Sequence, residues 1–268
     1  MNGTGALTLD NSGNNDFNGG ITINAGTLQI GNNDTNGNPG SSAIMNNGAL
    51  VFNRTDSALG TTAALGIISG SGSVTNNGTG TVTFNGVEPY TGATVVNAGT
   101  LALSGPNANP STLSASSSLT INNGGTVQFQ SDNFMGNAAP GVPVTINAGG
   151  VLTGLGTADG GAGTSSHLRA LLTLNGGTLT MGGSQDNTKY GTWDLDGGVT
   201  VPGGSITSTI DTLNVVPSQG GGTIFDVTAG TTPSGIDLNI TGSLINGSST
   251  HDAGIVKNGN GVMVLDNN

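Results

Sequence analysis

Two stretches of the chain are copies of one pattern, and this repetition constrains the fold more than any other feature. The first copy occupies Gly3–Gly31 and the second Gly78–Gly105. Both begin with GTG, continue with an alternation of apolar residues and threonine, and end with NAGTL followed by a short apolar strand. A third copy begins at Gly259 and is truncated where the chain ends. Such repetition predicts stacked coils, each of which buries its apolar face against its neighbours, and it favours a structural over a chemical role.

Short runs of alternating apolar and polar residues follow one another along the chain, separated by Asn-Gly corners. Alternation places every second side chain on one face of a strand. An isolated Asn-Gly corner is typical of an antiparallel hairpin, but the copied flanks at Asn24 and Asn97 favour a bend between two sides of a parallel coil. The residues expected to point inward are Leu7, Leu9, Ile21, Ile23, Leu28, Ile30, Val82, Phe84, Leu101, Leu103, Ile121, Val127, Phe129, Val144, Ile146, Leu174, Leu179, Met181, Trp193, Leu195, Val199, Val201, Ile236, Leu238 and Ile240.

Composition limits the possible partners. With 50 glycines and only 3% aromatic residues, any core has to be thin and aliphatic. Four Lys and Arg residues stand against 15 Asp and Glu residues, a net charge of −11, which excludes an electrostatic nucleic-acid binder and disfavours anionic membrane surfaces. Cysteine is absent, which removes disulfides and thiolate chemistry. No apolar run approaches the ~20 residues of a membrane helix, so we expect no membrane insertion.

The motif GxTxNAGTLxxG, preceded by a GxG-led strand and an aromatic-Gly pair, resembles the autotransporter-associated β-strand repeat of bacterial passenger proteins. The aromatic residue is Phe17 in the first copy and Tyr90 in the second. The resemblance implies an all-β, right-handed parallel β-helix, extracellular or at the cell surface. We expect one solenoid segment over residues 1–268, of about 11–13 coils and with uncapped ends.

The densest polar cluster, Asp186–Asp196, is the strongest candidate for chemistry. It contains Asp186, Lys189, Tyr190, Trp193, Asp194 and Asp196. Asp194 and Asp196 would share one strand face about 6.5–7 Å apart, a separation compatible with an inverting pair of carboxylates. The favoured interpretation is that both lie on the solvent face of a rung whose inward residues are Trp193 and Leu195.

Other candidate sites are weaker. Asp34–Asn38 carries oxygen ligands but lacks the spacing of a calcium loop. His167 and His251 are far apart in sequence and are interpreted as ordinary loop residues. Ser111–Ser118 lacks a nucleophile elbow and is interpreted as a loop. The sequence therefore assigns no catalytic, cofactor-binding or metal-binding residues, predicts no cofactor and indicates no enzyme.

A few segments are expected to interrupt the coils. Ser165–Leu172 is the one place where the sequence predicts a short helical turn. Gly31–Ser42, Gly105–Ser118 and Gly154–Ser166 are predicted to be loops.

The favoured function is a non-catalytic structural segment of a large secreted or cell-surface solenoid, which extends or assembles into fibres and presents loops for adhesion or matrix contact. Expected partners are neighbouring repeats or further copies stacked head to tail, and surface glycans or matrix. Threonine and asparagine at matching positions of successive strands are expected to form stiffening ladders. The alternatives are a glycan- or calcium-binding module and a polysaccharide-degrading β-helix enzyme.

Overall fold

The computed structural model is an all-β solenoid of parallel strands with about eight turns. It describes residues 1–15, 17–105, 111–130, 135, 141–154, 166–182, 192–212, 214–217, 222–245 and 254–266. Within these ranges there is no helix, and hence none long and apolar enough to cross a membrane.

The described strands form four sheets in which every pairing between strands is parallel. The long sheet has eleven strands: β1 (Ala6–Leu9), β3 (Thr27–Asp34), β5 (Ala49–Arg54), β7 (Ser73–Asn76), β9 (Thr94–Val96), β11 (Leu119–Ile121), β13 (Val144–Asn147), β16 (Leu172–Asn175), β19 (Val199–Val201), β22 (Thr223–Val227) and β25 (Ile255–Asn258). The second sheet has eight: β8 (Thr81–Phe84), β10 (Gly99–Leu103), β12 (Gly125–Phe129), β14 (Val151–Gly154), β17 (Thr178–Met181), β20 (Ser208–Asp211), β23 (Leu238–Ile240) and β26 (Met263–Leu265). The N-terminal sheet contains β2 (Ile21–Ile23), β4 (Ile44–Asn46) and β6 (Ile68–Ser69), and the C-terminal sheet contains β15 (Ser166–His167), β18 (Trp193–Asp194), β21 (Asn214–Val216) and β24 (Ser243–Leu244).

The order of these strands along the chain gives the coil three faces. A strand of the N-terminal sheet comes directly before β3, β5 and β7, and a strand of the C-terminal sheet comes directly before β16, β19, β22 and β25. The two short sheets therefore take the same place in the coil at opposite ends of the solenoid. The long sheet is the only one of the four that runs from β1 to β25.

The number of coils is smaller than the 11–13 expected from the sequence. Eight turns carry a strand in both the long and the second sheet, although the long sheet alone has eleven rungs. The number of residues between paired positions of successive rungs varies along the chain. It is smaller between Val74 and its partner Thr94 than between Thr223 and its partner Ile255. Longer connections between the later strands use up residues that the sequence estimate assigned to further coils.

The core consists of the inward rows of these sheets, as the alternation predicts. Leu28, Leu101 and Leu179 are each at most 3% exposed. Phe84, another predicted inward residue, meets Phe52 edge to face with ring centroids 6.4 Å apart. Most of the remaining predicted inward residues are likewise buried. Leu7 is the clear exception, because it lies on β1, which pairs with another strand on one side only. Leu9, Ile21 and Ile236 are half-buried.

The Asn-Gly corners work as bends between faces, not as hairpins. Gly26 and Gly99 have φ of 78° and 60°, in the left-handed region that favours glycine. A Cβ atom at Gly99 would lie 2.3 Å from the carbonyl oxygen of Gly80 in the coil beneath. Glycine is therefore required both for the bend and for the close stacking of one coil on the next.

Two local predictions are wrong. Ser166 and Leu172 belong to β15 and β16, so Ser165–Leu172 contains no helical turn among its described residues. The backbone N–H groups of Ser166 and Leu168 donate to Thr192 and Asp194 of the next coil, and this ladder replaces hydrogen bonds within a helix. The predicted loop Gly31–Ser42 begins too early, because β3 continues to Asp34.

Most of the other predicted loop residues carry no strand. Residues 111–118 are described and contain none, as predicted. Residues 106–110 and 155–165 lie outside the described part of the chain.

The two sequence copies occupy different faces of the solenoid. In the first copy, the first and last of its three strands are β1 and β3, which pair in the long sheet. In the second copy, the corresponding strands are β8 and β10, which pair in the second sheet. The strand between them changes likewise, from β2 in the N-terminal sheet to β9 in the long sheet. The repeated unit is thus a strand–corner–strand segment that fits either pair of faces.

Candidate functional site

A compact charged cluster lies on the C-terminal sheet. The Nδ1 atom of His167 is 2.9 Å from Oδ2 of Asp196 and 3.4 Å from Oδ2 of Asp194. The Nη1 atom of Arg169 is 3.3 Å from the same oxygen of Asp196. The side chains of Asp194 and Asp196 are only 10% and 16% exposed, and that of His167 is 21% exposed. The cluster is therefore largely withdrawn from water while one edge stays accessible.

Parallel stacking brings these groups together. Strand β15 pairs with β18 so that Ser166 lies beside Trp193 and His167 beside Asp194. Trp193 is fully buried, and its Nε1–H donates to the carbonyl oxygen of Thr180 at 2.9 Å. This anchored indole holds the rung in place, so that the residues on either side of it have fixed positions.

The sequence located the two carboxylates but missed the histidine. Trp193 and Leu195 are inward, as expected, but Asp194 is itself buried and does not face open solvent. His167 is not an isolated loop residue, because it is stacked on Asp194 from the preceding coil. A search one coil length upstream of Asp194 would have found it, but the coil length is known only from the structure. Asp186, Lys189, Tyr190 and His251 lie outside the described residues.

In the segment Asp34–Asn38, which was considered above as a calcium loop, the guanidinium of Arg54 binds the backbone carbonyl groups. The Nη1 group of Arg54 donates to the carbonyl oxygens of Asn36 and Gly37, within Asp34–Asn38. Its Nε and Nη2 groups donate to the two carboxylate oxygens of Asp56 at 2.9 and 2.7 Å. Arg54 is 6% exposed, so the guanidinium fixes this loop from inside. The arrangement fits the structural interpretation of the segment as a loop.

A ladder of asparagine amides runs along one corner of the long sheet. The Nδ2 group of each residue donates to the Oδ1 atom of the asparagine one coil earlier, at 2.6–3.1 Å. The residues of this asparagine ladder are Asn77, Asn97, Asn122, Asn147 and Asn175. The expected asparagine ladder is confirmed. Threonines also stack in register on the neighbouring outward row, from Thr120 through Thr145 and Thr173 to Thr200.

A buried polar network that the sequence did not indicate lies within the second copy and extends to Ile68 and Ser116 outside it. Glu88 is 3% exposed, and its Oε2 atom accepts a hydrogen bond from the backbone N–H of Ile68 at 2.6 Å. Burial raises the pKa of Glu88 to about 7, although that hydrogen bond acts in the opposite direction. The hydroxyl of Tyr90 is 2.6 Å from Oγ1 of Thr94, which is 2.9 Å from Oγ of Ser116. Burial also raises the pKa of Tyr90.

The serine-rich segment is held by local hydrogen bonds. The Oγ atom of Ser114 donates to the carbonyl oxygen of Ser111 at 2.9 Å, and Oγ of Ser116 donates to that of Gly92. These contacts tie the turn to the preceding coil, in keeping with the prediction of a loop.

Comparison with known families gives one match. The model of a family described as the passenger-associated-transport-repeat matches residues 1–30 and 74–103. Each of these two segments therefore resembles a passenger-associated transport repeat. They coincide with the two copied stretches in the sequence, and the parallel solenoid is the architecture expected of passenger repeats. No curated protein and no solved structure gives a significant match to the chain.

The aromatic residue of the two passenger repeats has a different environment in each. Tyr90 is fully buried between coils, whereas Phe17 is 37% exposed. The difference follows from the change of face, because β9 has strands on both sides whereas β2 is an edge strand of the N-terminal sheet.

Proposed function

We propose that the chain is a non-catalytic structural segment of a larger exported or cell-surface solenoid. The observation that supports this most directly is the parallel stack of coils in which two passenger repeats are embedded. Stacked coils extend in one direction and need contacts only with their neighbours, so such a segment serves as a stiff spacer. The asparagine ladder adds rigidity along the same axis.

The edge strands support stacking against further coils. Leu7 on β1 is 50% exposed, and Ile255 and Leu265 on β25 and β26 are 39% and 49% exposed. Among the described strands, each of these three has a partner on one side only. An unpaired strand edge with apolar side chains favours the addition of another strand. The proposed occupant is another coil of the same type, from the same polypeptide or from a second copy, which would extend the solenoid into a fibre for adhesion or matrix contact.

Sedimentation velocity or light scattering over a concentration series tests this stacking. We expect the apparent molecular mass to increase with protein concentration and electron micrographs to show unbranched rods. Introducing charge into the edge strand with Leu7→Lys should reduce association, whereas Thr120→Lys on a central outward row should not. A strictly monomeric species at high concentration would restrict stacking to coils of one polypeptide.

Contact with a glycan is the second candidate. A surface cleft is lined by Phe17 together with Asn14, Asn38 and Thr62. Asn38 donates to Oδ1 of Asn14 at 2.8 Å, which presents the two amides as a fixed pair beside the aromatic ring. Fixed polar groups next to an apolar surface are typical of small-ligand sites. Glycan-array binding that is lost in Phe17→Ala would support this role.

The polysaccharide-degrading alternative has a direct test. Turnover on a polysaccharide panel that is abolished by Asp194→Asn would replace the structural proposal. We expect no turnover, because His167 and Arg169, from the neighbouring rung, contact the Asp196 carboxylate at 2.9 and 3.3 Å.

A further inference from the structure

The cluster on the C-terminal sheet has the composition of a metal site. It joins one imidazole to two carboxylates, and the three candidate ligand atoms lie within 4.8 Å of one another. The ligands come from two successive coils, His167 from β15 and Asp194 and Asp196 from β18 and the residues that follow it. We propose that His167, Asp194 and Asp196 bind one divalent transition-metal ion, with Zn²⁺ as the ion that best suits these ligands.

The distances agree with coordination. Zinc binds nitrogen and oxygen ligands at about 2.0–2.2 Å, so two ligand atoms on one ion stand roughly 2.8–3.6 Å apart. The Nδ1 atom of His167 is 2.9 and 3.4 Å from the two carboxylate oxygens. Both of these distances therefore fall within the range expected for ligands of one ion, and the two carboxylate oxygens lie within 4.8 Å of each other.

The chemistry of the ligands selects the type of ion. Ca²⁺ and Mg²⁺ prefer sites made wholly of oxygen ligands, whereas imidazole together with carboxylate suits Zn²⁺, Mn²⁺ and neighbouring transition metals. The cluster contains no thiolate, since the chain has no cysteine.

The charge of the cluster and its accessibility to solvent also favour the binding of a metal ion. Arg169 contributes one positive charge beside the two carboxylates of the cluster, and its contact is with Asp196. Asp194, Asp196 and Arg169 together carry a formal charge of −1, which attracts a cation. The 21% exposure of His167 leaves a path for the ion and for a water ligand. Arg169 competes with the metal for Asp196, so its removal should tighten binding.

Binding would join two coils. Because His167 and Asp194 lie side by side on adjacent rungs, an ion held by both resists separation of those rungs. A ligand that binds the folded state and not the unfolded state raises the melting temperature as its concentration rises.

Isothermal titration of chelator-treated full-length chain with ZnCl₂, and with CoCl₂ followed by visible absorption, tests the proposal. We expect one ion per chain and a rise in melting temperature with zinc. His167→Gln and Asp196→Asn should each weaken binding at least tenfold, whereas Arg169→Gln should strengthen it. His251→Gln, which removes the other histidine, is the matched control and should leave binding unchanged.

A measurement on the unsubstituted protein makes the test independent of how well the variants fold. The chain has two histidines, so its imidazole NMR spectrum contains two sets of signals. Zinc should shift the set assigned to His167 and leave the set of His251 in place. Failure of zinc and cobalt to bind with a stoichiometry of one, binding that survives His167→Gln, or an unshifted His167 signal at saturating zinc would each overturn the proposal.

Discussion

Leu28 and Leu101 follow the Asn-Gly corner in the two passenger repeats, and both are almost completely buried, with 3% and 2% exposure. They keep this inward position although one lies in the long sheet and the other in the second sheet. At the scale of single residues, inward orientation is therefore a property of the repeat itself, independent of the face that the repeat occupies.

Replacing either leucine by aspartate should unfold the surrounding coils. A carboxylate buried without a partner costs several kcal/mol, so Leu28→Asp and Leu101→Asp should each lower the melting temperature sharply. Thr27→Ser, next to Leu28 and half-exposed, is the control and should melt almost as the parent does. A melting temperature of Leu28→Asp equal to that of the parent would show that the assignment of faces is wrong.

Glu88 gives the fold a defined pH dependence. Its pKa in the folded protein is about 7, above the ordinary value of 4.5, so the folded state binds this proton more tightly than the unfolded chain does. The resulting stabilisation is complete below pH 4.5 and is lost as the pH rises through 7, a decrease of about 3 kcal/mol. Glu88→Gln should remove this decrease, since a neutral amide can still accept the hydrogen bond from Ile68.

The measurement is chemical denaturation of parent and variant between pH 4 and pH 8. The two should have similar stability at pH 4, and the variant should be more stable at pH 8. Parallel pH profiles for the two proteins would mean that Glu88 does not titrate in this window.

At the scale of strands and corners, the asparagine ladder links five successive rungs of the long sheet. Asn122 is its middle member, and its amide donates to Asn97 and accepts from Asn147. Asn122→Ala removes both bonds and should cost about 1–2 kcal/mol. Asn123→Ala, at the exposed neighbouring position, is the matched control and should be nearly neutral. Equal stability of the two variants would show that the ladder contributes nothing measurable.

Alternation predicted the inward rows and the corners because both depend on neighbours in sequence. Leu28 and Phe84 could be placed by counting residues along a strand, and Gly99 by its place in the copied motif. Contacts between coils could not be predicted in this way. The pairing of His167 with Asp194 depends on the length of the connection between β15 and β18, and the hydrogen bond from Ile68 to Glu88 joins residues 20 apart in the sequence. The residues of the two repeats also do not predict that the repeats occupy different faces of the solenoid.

At the scale of the whole molecule, stability should be local, because each coil contacts mainly the coils beside it. Leu28→Asp should therefore abolish hydrogen-exchange protection in β1, β3 and β5, while β20 and β23 near the other end keep theirs. Mass spectrometry of exchanged peptides measures this directly. A uniform loss of protection along the chain would instead show that the solenoid unfolds as one cooperative unit.

The asparagine ladder also gives the solenoid an electric dipole along its axis. Every amide from Asn97 to Asn175 donates towards the coil before it, so the dipoles of these side chains point the same way. Aligned amide dipoles add, as they do along an α-helix. The end near Asn77 then carries partial positive charge, and the end near Asn175 carries partial negative charge. The ladder therefore has a donor end that faces β1 and an acceptor end that faces β25, so the two directions along the solenoid are electrostatically different.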